Sequence, residues 1–348
     1  MAKDSIKSRL SEFLNIVSEV KQTTRCVWVD YAKVISICLV ISYHVPPRNA
    51  SFIADVVSML RMPAFFLIAG YLFRIEKFTS LSHFVRHRST QLLIPYMSFF
   101  VLFYILWLLV GRTVVGGDEL SIPVWKPLME FLLGSPSVIV APYWFICCLY
   151  VTQLVYYILA KNISRKYLIA ICLLMPYLNC LWNLTSLPWQ VSSMVKYLSF
   201  YAFANIFKDQ ISNLGKTDWF NCVLFFFIAL LCVYGRSISD NEWLRSTLYT
   251  LGGLLMLPLY VWFCKLLPEV SSLMVFSRFI GQNSIVILAI QNYIIGVLIL
   301  VAKKFYDWPV LCNVTLSNIM VTISVLVLSV IPVVLINRYA SFMIGRKN

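Results

Sequence analysis

Long apolar segments recur along the whole chain, and they constrain its fold more than any other feature of the sequence. Hydrophobic residues make up 60% of the 348 residues and charged residues only 13%, whereas a soluble domain is about half apolar and a quarter charged. A core of this size cannot hide that surplus from water, so lipid is the solvent for most of the chain. The sequence therefore predicts an all-α, polytopic membrane protein.

About ten segments are expected to span the membrane, because each is apolar over roughly 20 residues. They are residues 28–46, 52–73, 92–110, 138–160, 167–182, 192–207, 218–235, 246–266, 284–302 and 314–337. The fifth and sixth are the weakest, since Lys196 and the stretch from Trp182 to Pro188 interrupt them. The predicted organisation is a polar segment 1–25, a single membrane domain 26–340 and a short tail 341–348.

Basic residues predict which side of the membrane the termini face. An even number of spans places both termini on one side, and most of the 29 Lys and Arg residues fall on that side. The positive-inside rule then makes both termini cytoplasmic. Apolar residues at helical spacing over 5–21 predict a surface helix on the inner leaflet. The net charge of +14 is thus explained by contact with membrane lipids, and no nucleic-acid partner is predicted.

The first predicted span carries ionisable residues, which are costly in a bilayer and are therefore functional candidates. Asp30 and Lys33 are three residues apart, so they lie on one helical face. His44 follows Lys33 by about three helical turns and shares that face. Its neutral ring can accept a proton from a hydroxyl group. The alternatives are a buried structural histidine and an interfacial Asp30–Lys33 ion pair.

The second predicted span adds Asp55 and, deeper in the membrane, Arg61. Asp55 lies at the depth of His44, where a carboxylate would orient the imidazole. The alternative for Asp55 is a carboxylate that interacts with the positive end of its helix. An unpaired guanidinium at the depth of Arg61 would be costly, which favours a function for it.

The inner loop 74–91 is basic and includes Arg86 and Arg88. Arg and Lys suit the phosphate groups of a polyanionic donor, although the positive-inside rule alone also explains the loop. The motifs of zinc proteases, α/β-hydrolases and P-loop proteins do not occur. No metal site is predicted.

With these residues in place, the chain resembles the acyltransferase-3 family of bacterial integral-membrane acyltransferases, especially the branch that acetylates sugars of surface polysaccharides. The resemblance rests first on Asp30-x-x-Lys33, followed after ten residues by His44, and on the segment from Arg61 to Phe73. Weaker similarities are Arg88 with Leu93-Ile-Pro-Tyr96, Pro142-Tyr-Trp-Phe145 and Gly281-Gln-Asn-Ser284. Two positions depart from the family pattern. Gln91 replaces the second arginine of Arg-x-x-Arg, and Gln291 stands where many members have a histidine.

The resemblance implies a multi-pass enzyme of the bacterial inner membrane that moves an acyl group from acyl-CoA to a carbohydrate hydroxyl. His44 occupies the family's catalytic position, and from their positions we expect Asp55 and Arg61 to assist it. The expected donor-binding residues are Asp30, Lys33, Arg86 and Arg88. Acetyl-CoA is the expected co-substrate, with no further cofactor, and a surface polysaccharide or its lipid-linked precursor is the expected acceptor. A transporter or flippase for a glycan or lipid-linked substrate is the alternative, since many spans with intramembrane charges suit that function too.

Overall fold

The computed structural model describes residues 26–46, 51–111, 122–136, 139, 141–305 and 314–346. Helices fill most of these residues, and no β-strand occurs among them. The all-α prediction is therefore confirmed. The surface helix predicted at 5–21 lies outside the described residues and stays a prediction, as does the cytoplasmic placement of the termini.

The helices follow one another through short connections. In the first half of the chain they are α1 (Val27–His44), α2 (Phe52–Leu72), α3 (Leu81–Arg88), α4 (Ile94–Leu106), α5 (Trp125–Leu132), α6 (Trp144–Asn162) and α7 (Arg165–Leu174). In the second half they are α8 (Leu178–Leu181), α9 (Val191–Ile206), α10 (Lys208–Asn213), α11 (Trp219–Ile238), α12 (Glu242–Leu266), α13 (Ser271–Gln282), α14 (Ser284–Phe305) and α15 (Val314–Tyr339). A π-helical turn at Ser89–Leu93 joins α3 to α4.

Within the described residues, eight helical segments are long and apolar enough to cross a bilayer. They are Val27–His44, Phe52–Leu72, Leu81–Gly111, Ala141–Asn162, Lys216–Ile238, Glu242–Leu266, Ser284–Ala302 and Leu316–Tyr339. Each coincides with one of the spans expected from the sequence. The prediction of a polytopic membrane protein is therefore confirmed.

The expected spans at 167–182 and 192–207 are also helical, but they are shorter. Helix α9 has 16 residues, which at a rise of 1.5 Å gives about 24 Å, less than the ~30 Å hydrocarbon core. The expected span at 167–182 is divided into α7 and α8 by a 3₁₀ turn at Met175–Tyr177. Pro176 lies in this turn and lacks the N–H group that a continuous helix requires. Helix α9 packs against α2, α6 and α12, so protein surrounds much of it.

Helix α1 lies inside the bundle and packs against α2, α12, α13, α14 and α15. Half of its residues are buried. Its polar groups have partners within the protein: the Ser36 hydroxyl lies 2.8 Å from the hydroxyl of Tyr260, which also donates a hydrogen bond to the carbonyl of Ala32. The ionisable face of α1 is therefore set among other helices, where polar groups are less costly than in lipid.

Residues 341–346, expected to form part of a tail, pack back onto the bundle. The 3₁₀ turn Ser341–Ile344 contacts α4 and the end of α15. The side chains of Met343 and Ile344 pack against the hydrophobic cluster that includes α4. This segment is therefore part of the packed fold.

Helices α2 and α9 approach each other most closely at Gly70. A Cβ atom at this position would overlap the backbone carbonyl of Tyr201, so only glycine allows this crossing. The Asn205 side chain fixes the same contact by donating hydrogen bonds to the carbonyls of Gly70, at 3.0 Å, and Phe73, at 2.9 Å. The C-terminal end of α2 is thereby held against α9.

Gly70→Ala is expected to destabilise the protein by about 1–3 kcal/mol, since two backbones would have to separate to admit one methyl group. Gly296→Ala is the matched control, because nothing lies within 4 Å of a Cβ atom there. The measurement is thermal unfolding of the detergent-solubilised protein. Equal melting temperatures for the two variants would contradict this account of the α2–α9 contact.

Candidate active site

His44 and Arg61 line the same cavity, although they come from different helices. His44 is the last residue of α1, and Arg61 lies near the middle of α2. The cavity has a volume of about 70 Å³. Its other lining residues are mostly apolar: Val40, Tyr43, Met62, Phe65, Pro142, Trp144, Phe145 and Leu288. The structure thus brings two of the three predicted catalytic residues together.

His44 also lines a second and wider cavity, with a volume of about 370 Å³. Tyr43 and Trp144 are shared by the two cavities. The remaining walls of the wider one are Pro136, Ala141, Asn292 and Ile295. His44 therefore lines both the narrow chamber and the wider cavity.

Tyr43 holds the two ionisable side chains in place. The guanidinium carbon of Arg61 lies 3.7 Å from the centroid of the Tyr43 ring, which is a cation–π contact. The ring of His44 meets the same tyrosine edge-on, at 5.4 Å between centroids. Arg61 and His44 thus both contact the ring of Tyr43.

Asp55 occupies a different position from these residues. It lies in the first turn of α2, which begins with a hydrogen bond from the Ala54 N–H to the Ser51 hydroxyl, and it is exposed. It is not among the lining residues of either cavity. This placement favours the alternative of a carboxylate at a helix N-terminus.

Asp30 and Lys33 meet α13 at Gly281. Asp30 is buried, with 4% of its surface exposed, and Lys33 is half-buried. A Cβ atom at Gly281 would lie 3.2 Å from Cδ of Lys33 and 3.5 Å from Oδ1 of Asp30. The segment Gly281–Ser284, which carried only a weak similarity in the sequence, therefore packs directly on the predicted donor-binding pair.

The basic segment predicted as a loop is helical at its end, and the last turn of α3 supplies one exposed and one half-buried arginine. Arg86 is exposed. Arg88 donates a 2.9 Å hydrogen bond to Oε1 of Gln91, and its guanidinium carbon lies 5.6 Å from the ring centroid of Phe73. In the family's Arg-x-x-Arg pattern, Arg88 is the first arginine and Gln91 stands at the position of the second. The side chains of these two residues are hydrogen-bonded to each other here.

Gln291 is fully buried, and neither amide atom has a hydrogen-bond partner within the described residues. Its neighbour Asn292 also has a buried and unpartnered oxygen, Oδ1, at the wider cavity. Burying amide groups without partners costs free energy, the more so in a membrane. Helix α14 therefore carries two adjacent amide side chains with unused hydrogen-bonding capacity, and one of them, Asn292, lines the wider cavity with His44.

Sequence reasoning did not single out Tyr43, Asn292 or Leu288. Each is an ordinary residue type within an apolar span, and no spacing marks it. For this part of the cavity wall, the sequence offered one indication, the similarity of Pro142–Phe145 to the family. No group of three or more His, Cys, Asp or Glu residues that could hold a metal ion occurs in the part of the chain that the structure describes.

The comparison with protein families decides the class of protein. A family model described as an acyltransferase domain, that of the acyltransferase-3 family, matches residues 27–338. The chain belongs to the acyltransferase-3 family. No curated protein and no solved structure matched in the corresponding searches. The chain is thus a multi-pass membrane acyltransferase, which favours the enzyme prediction over the transporter or flippase alternative.

Gly281→Ala is expected to reduce acyltransferase activity about 10-fold, because the new methyl group displaces Lys33 and small displacements are costly in a positioned site. Gly235→Ala is the control, since its Cβ atom would meet only the flexible side chain of Leu248, at 3.1 Å. Initial rates are measured on purified protein whose melting temperature has been checked. Equal rates for both variants would show that the contact at Gly281 does not position Lys33.

Proposed function

We propose that this acyltransferase resides in a bacterial inner membrane and moves an acetyl group from acetyl-CoA to a hydroxyl group of a carbohydrate. The acceptor is a surface polysaccharide or its lipid-linked precursor. The observation that carries the proposal is the position of His44 between a narrow chamber that contains Arg61 and a wider cavity. An acyl group and a sugar can enter from different sides and meet at the imidazole.

In the proposed reaction, His44 removes the proton from the acceptor hydroxyl as its oxygen attacks the thioester carbonyl carbon. The developing oxyanion lies next to Arg61, whose fixed positive charge stabilises it. The carbon–sulfur bond then breaks, and the sulfur of coenzyme A takes the proton from the imidazolium. An ester and free coenzyme A result, and His44 returns to its neutral form.

The donor is proposed to bind along α1. Lys33 and His44 share one face of this helix and are about 16 Å apart along its axis. The phosphate groups of coenzyme A bind near Lys33, with Arg86 and Arg88 contributing positive charge. The flexible arm of the coenzyme then reaches the narrow chamber with its thioester. Asp30 is assigned to this site because it adjoins Lys33 at Gly281.

The wider cavity is proposed to hold the acceptor. The aromatic side chains of Tyr43 and Trp144 line it and offer flat surfaces on which a sugar ring can pack. The unpartnered Oδ1 of Asn292 can accept a hydrogen bond from a sugar hydroxyl. Apolar walls with a few placed polar groups are typical of ligand sites.

His44→Ala is expected to lower acetyl transfer about 100-fold or more, because no other group replaces the general base. His83→Ala is the matched control, since His83 is an exposed histidine of α3. The measurement is thiol release from acetyl-CoA by purified protein in the presence of acceptor glycan. Full activity of a correctly inserted His44→Ala variant would remove His44 from the mechanism.

The same assay tests the function as a whole. Wild-type protein that binds glycan but releases no thiol would support a transporter. The acceptor is identified by comparing the surface glycans of a deletion strain and its parent by mass spectrometry and NMR.

The small volume of the narrow chamber also predicts an upper limit on the length of the acyl group that can be transferred. The chamber's 70 Å³ is about half of the ~150 Å³ of a cavity that holds a benzene ring, which suits an acetyl group. Leu288→Ala is expected to raise the ratio of butyryl to acetyl transfer, because it enlarges the chamber. Leu300→Ala, an exposed position of the same helix, is the control. An unchanged ratio in Leu288→Ala would show that this chamber does not hold the acyl chain.

A further inference from the structure

Arg346 lies on the segment that folds back after α15, and its backbone position is fixed. Gly345 adopts a left-handed conformation with φ of +68°, which favours glycine. A Cβ atom there would overlap the carbonyl oxygen of Thr90. The Arg346 N–H donates a hydrogen bond to the carbonyl of Ser341, at 3.2 Å. The segment is therefore held against the turn that follows Arg88.

A chain of hydrogen bonds connects Arg346 to the Gly281 segment. Nη1 of Arg346 donates to Oδ1 of Asn337, at 3.0 Å. Nδ2 of Asn337 donates to Oδ1 of Asn283, at 2.9 Å, and the Asn283 amide donates to the carbonyl of Phe279, at 2.8 Å. Asn283 lies two residues after Gly281, the residue that contacts Asp30 and Lys33.

Thr90, which Gly345 contacts, is in turn connected to the end of α3. Thr90 donates a hydrogen bond from its hydroxyl to the carbonyl of Arg86, at 2.9 Å. Arg346 is thus linked through hydrogen-bonded and packed residues to the Lys33 contact on one side and to the Arg86–Arg88 turn at the end of α3 on the other. These cations come from α1, from α3 and from the segment after α15.

The guanidinium of Arg346 retains the capacity to bind a ligand. Within the described residues its side chain makes one hydrogen bond, to a neutral amide, and the residue is exposed. Cations on neighbouring elements attract a multiply charged anion more strongly than a single cation does. Guanidinium groups match phosphate oxygens in both charge and geometry.

We propose that Arg346 is a binding residue for the phosphate groups of the acyl-CoA donor, in a site that it shares with Lys33 and the Arg86–Arg88 turn. The inference rests on the proposed function, which supplies the donor. It adds a binding residue from the segment that follows α15, a segment for which the sequence predicted only a tail. The hydrogen-bonded amides of Asn337 and Asn283 position the guanidinium relative to Lys33.

The test compares Arg346→Gln with Arg338→Gln in the full-length protein. Arg338 is an exposed arginine near the same helix end and is the matched control. Calorimetric titration with coenzyme A is expected to give a dissociation constant about 10-fold higher for Arg346→Gln, since a charge-assisted hydrogen bond is lost. The constant of Arg338→Gln should stay within about twofold of the wild type.

A second comparison separates phosphate binding from a structural role. Arg346→Gln should lose far less activity with acetyl-N-acetylcysteamine, a thioester without phosphate groups, than with acetyl-CoA. Equal losses with both donors would overturn the inference and assign Arg346 a structural role. Gly345→Ala keeps the charge but displaces the segment, and it should show the same donor-dependent loss.

The outcomes distinguish this inference from the proposed function. If the wild type binds coenzyme A and Arg346→Gln binds it equally well, the inference is wrong and the function stands. If the wild type neither binds coenzyme A nor releases thiol from acetyl-CoA, the proposed function fails, and this inference fails with it.

Discussion

The cost of placing charge in a bilayer is the constraint on which the rest of this structure depends. A helix that carries Asp30, Lys33 and His44 cannot face lipid along that side without a large free-energy cost. Five helices pack against α1, and two cavities remain beside His44 at its end. The candidate site is therefore a consequence of how the bundle encloses the polar face of α1.

Two close contacts at glycine residues hold this arrangement. At Gly70 the backbones of α2 and α9 touch, and Asn205 fixes their alignment. At Gly281 helix α13 rests on Asp30 and Lys33. The first contact requires glycine and sets the position of the helix that carries Arg61. The second leaves little room for a side chain and packs against the predicted donor site.

Features that stand out chemically from their surroundings could be predicted from the sequence. The apolar runs located the eight long spanning segments, and His44 and Arg61 were recognisable because ionisable residues are rare inside such runs. Tyr43, Asn292 and Leu288 were not recognisable, since a residue that lines a cavity has the same character as one that faces lipid or the core. Only the packing of α1 against α2 and α14 distinguishes them.

The sequence says less where helix length and chain direction depend on tertiary contacts. Helix α9 was expected to span the membrane, and its 16 residues pack among other helices, which a hydropathy pattern does not reveal. For the segment after α15 the sequence predicted only a tail. Its packing could not be predicted, because the left-handed turn at Gly345 fits against Thr90, a distant part of the chain.

The apolar wall of the narrow chamber has a consequence for the fate of the activated acyl group. Val40, Met62, Phe65 and Leu288 offer no hydrogen bonds to a water molecule, and a buried water is stable only with several polar partners. Water that enters the chamber therefore finds partners only beside its polar side chains, such as that of Arg61. The apolar side of the chamber thus gives an acyl group a surface on which solvent competes poorly for space.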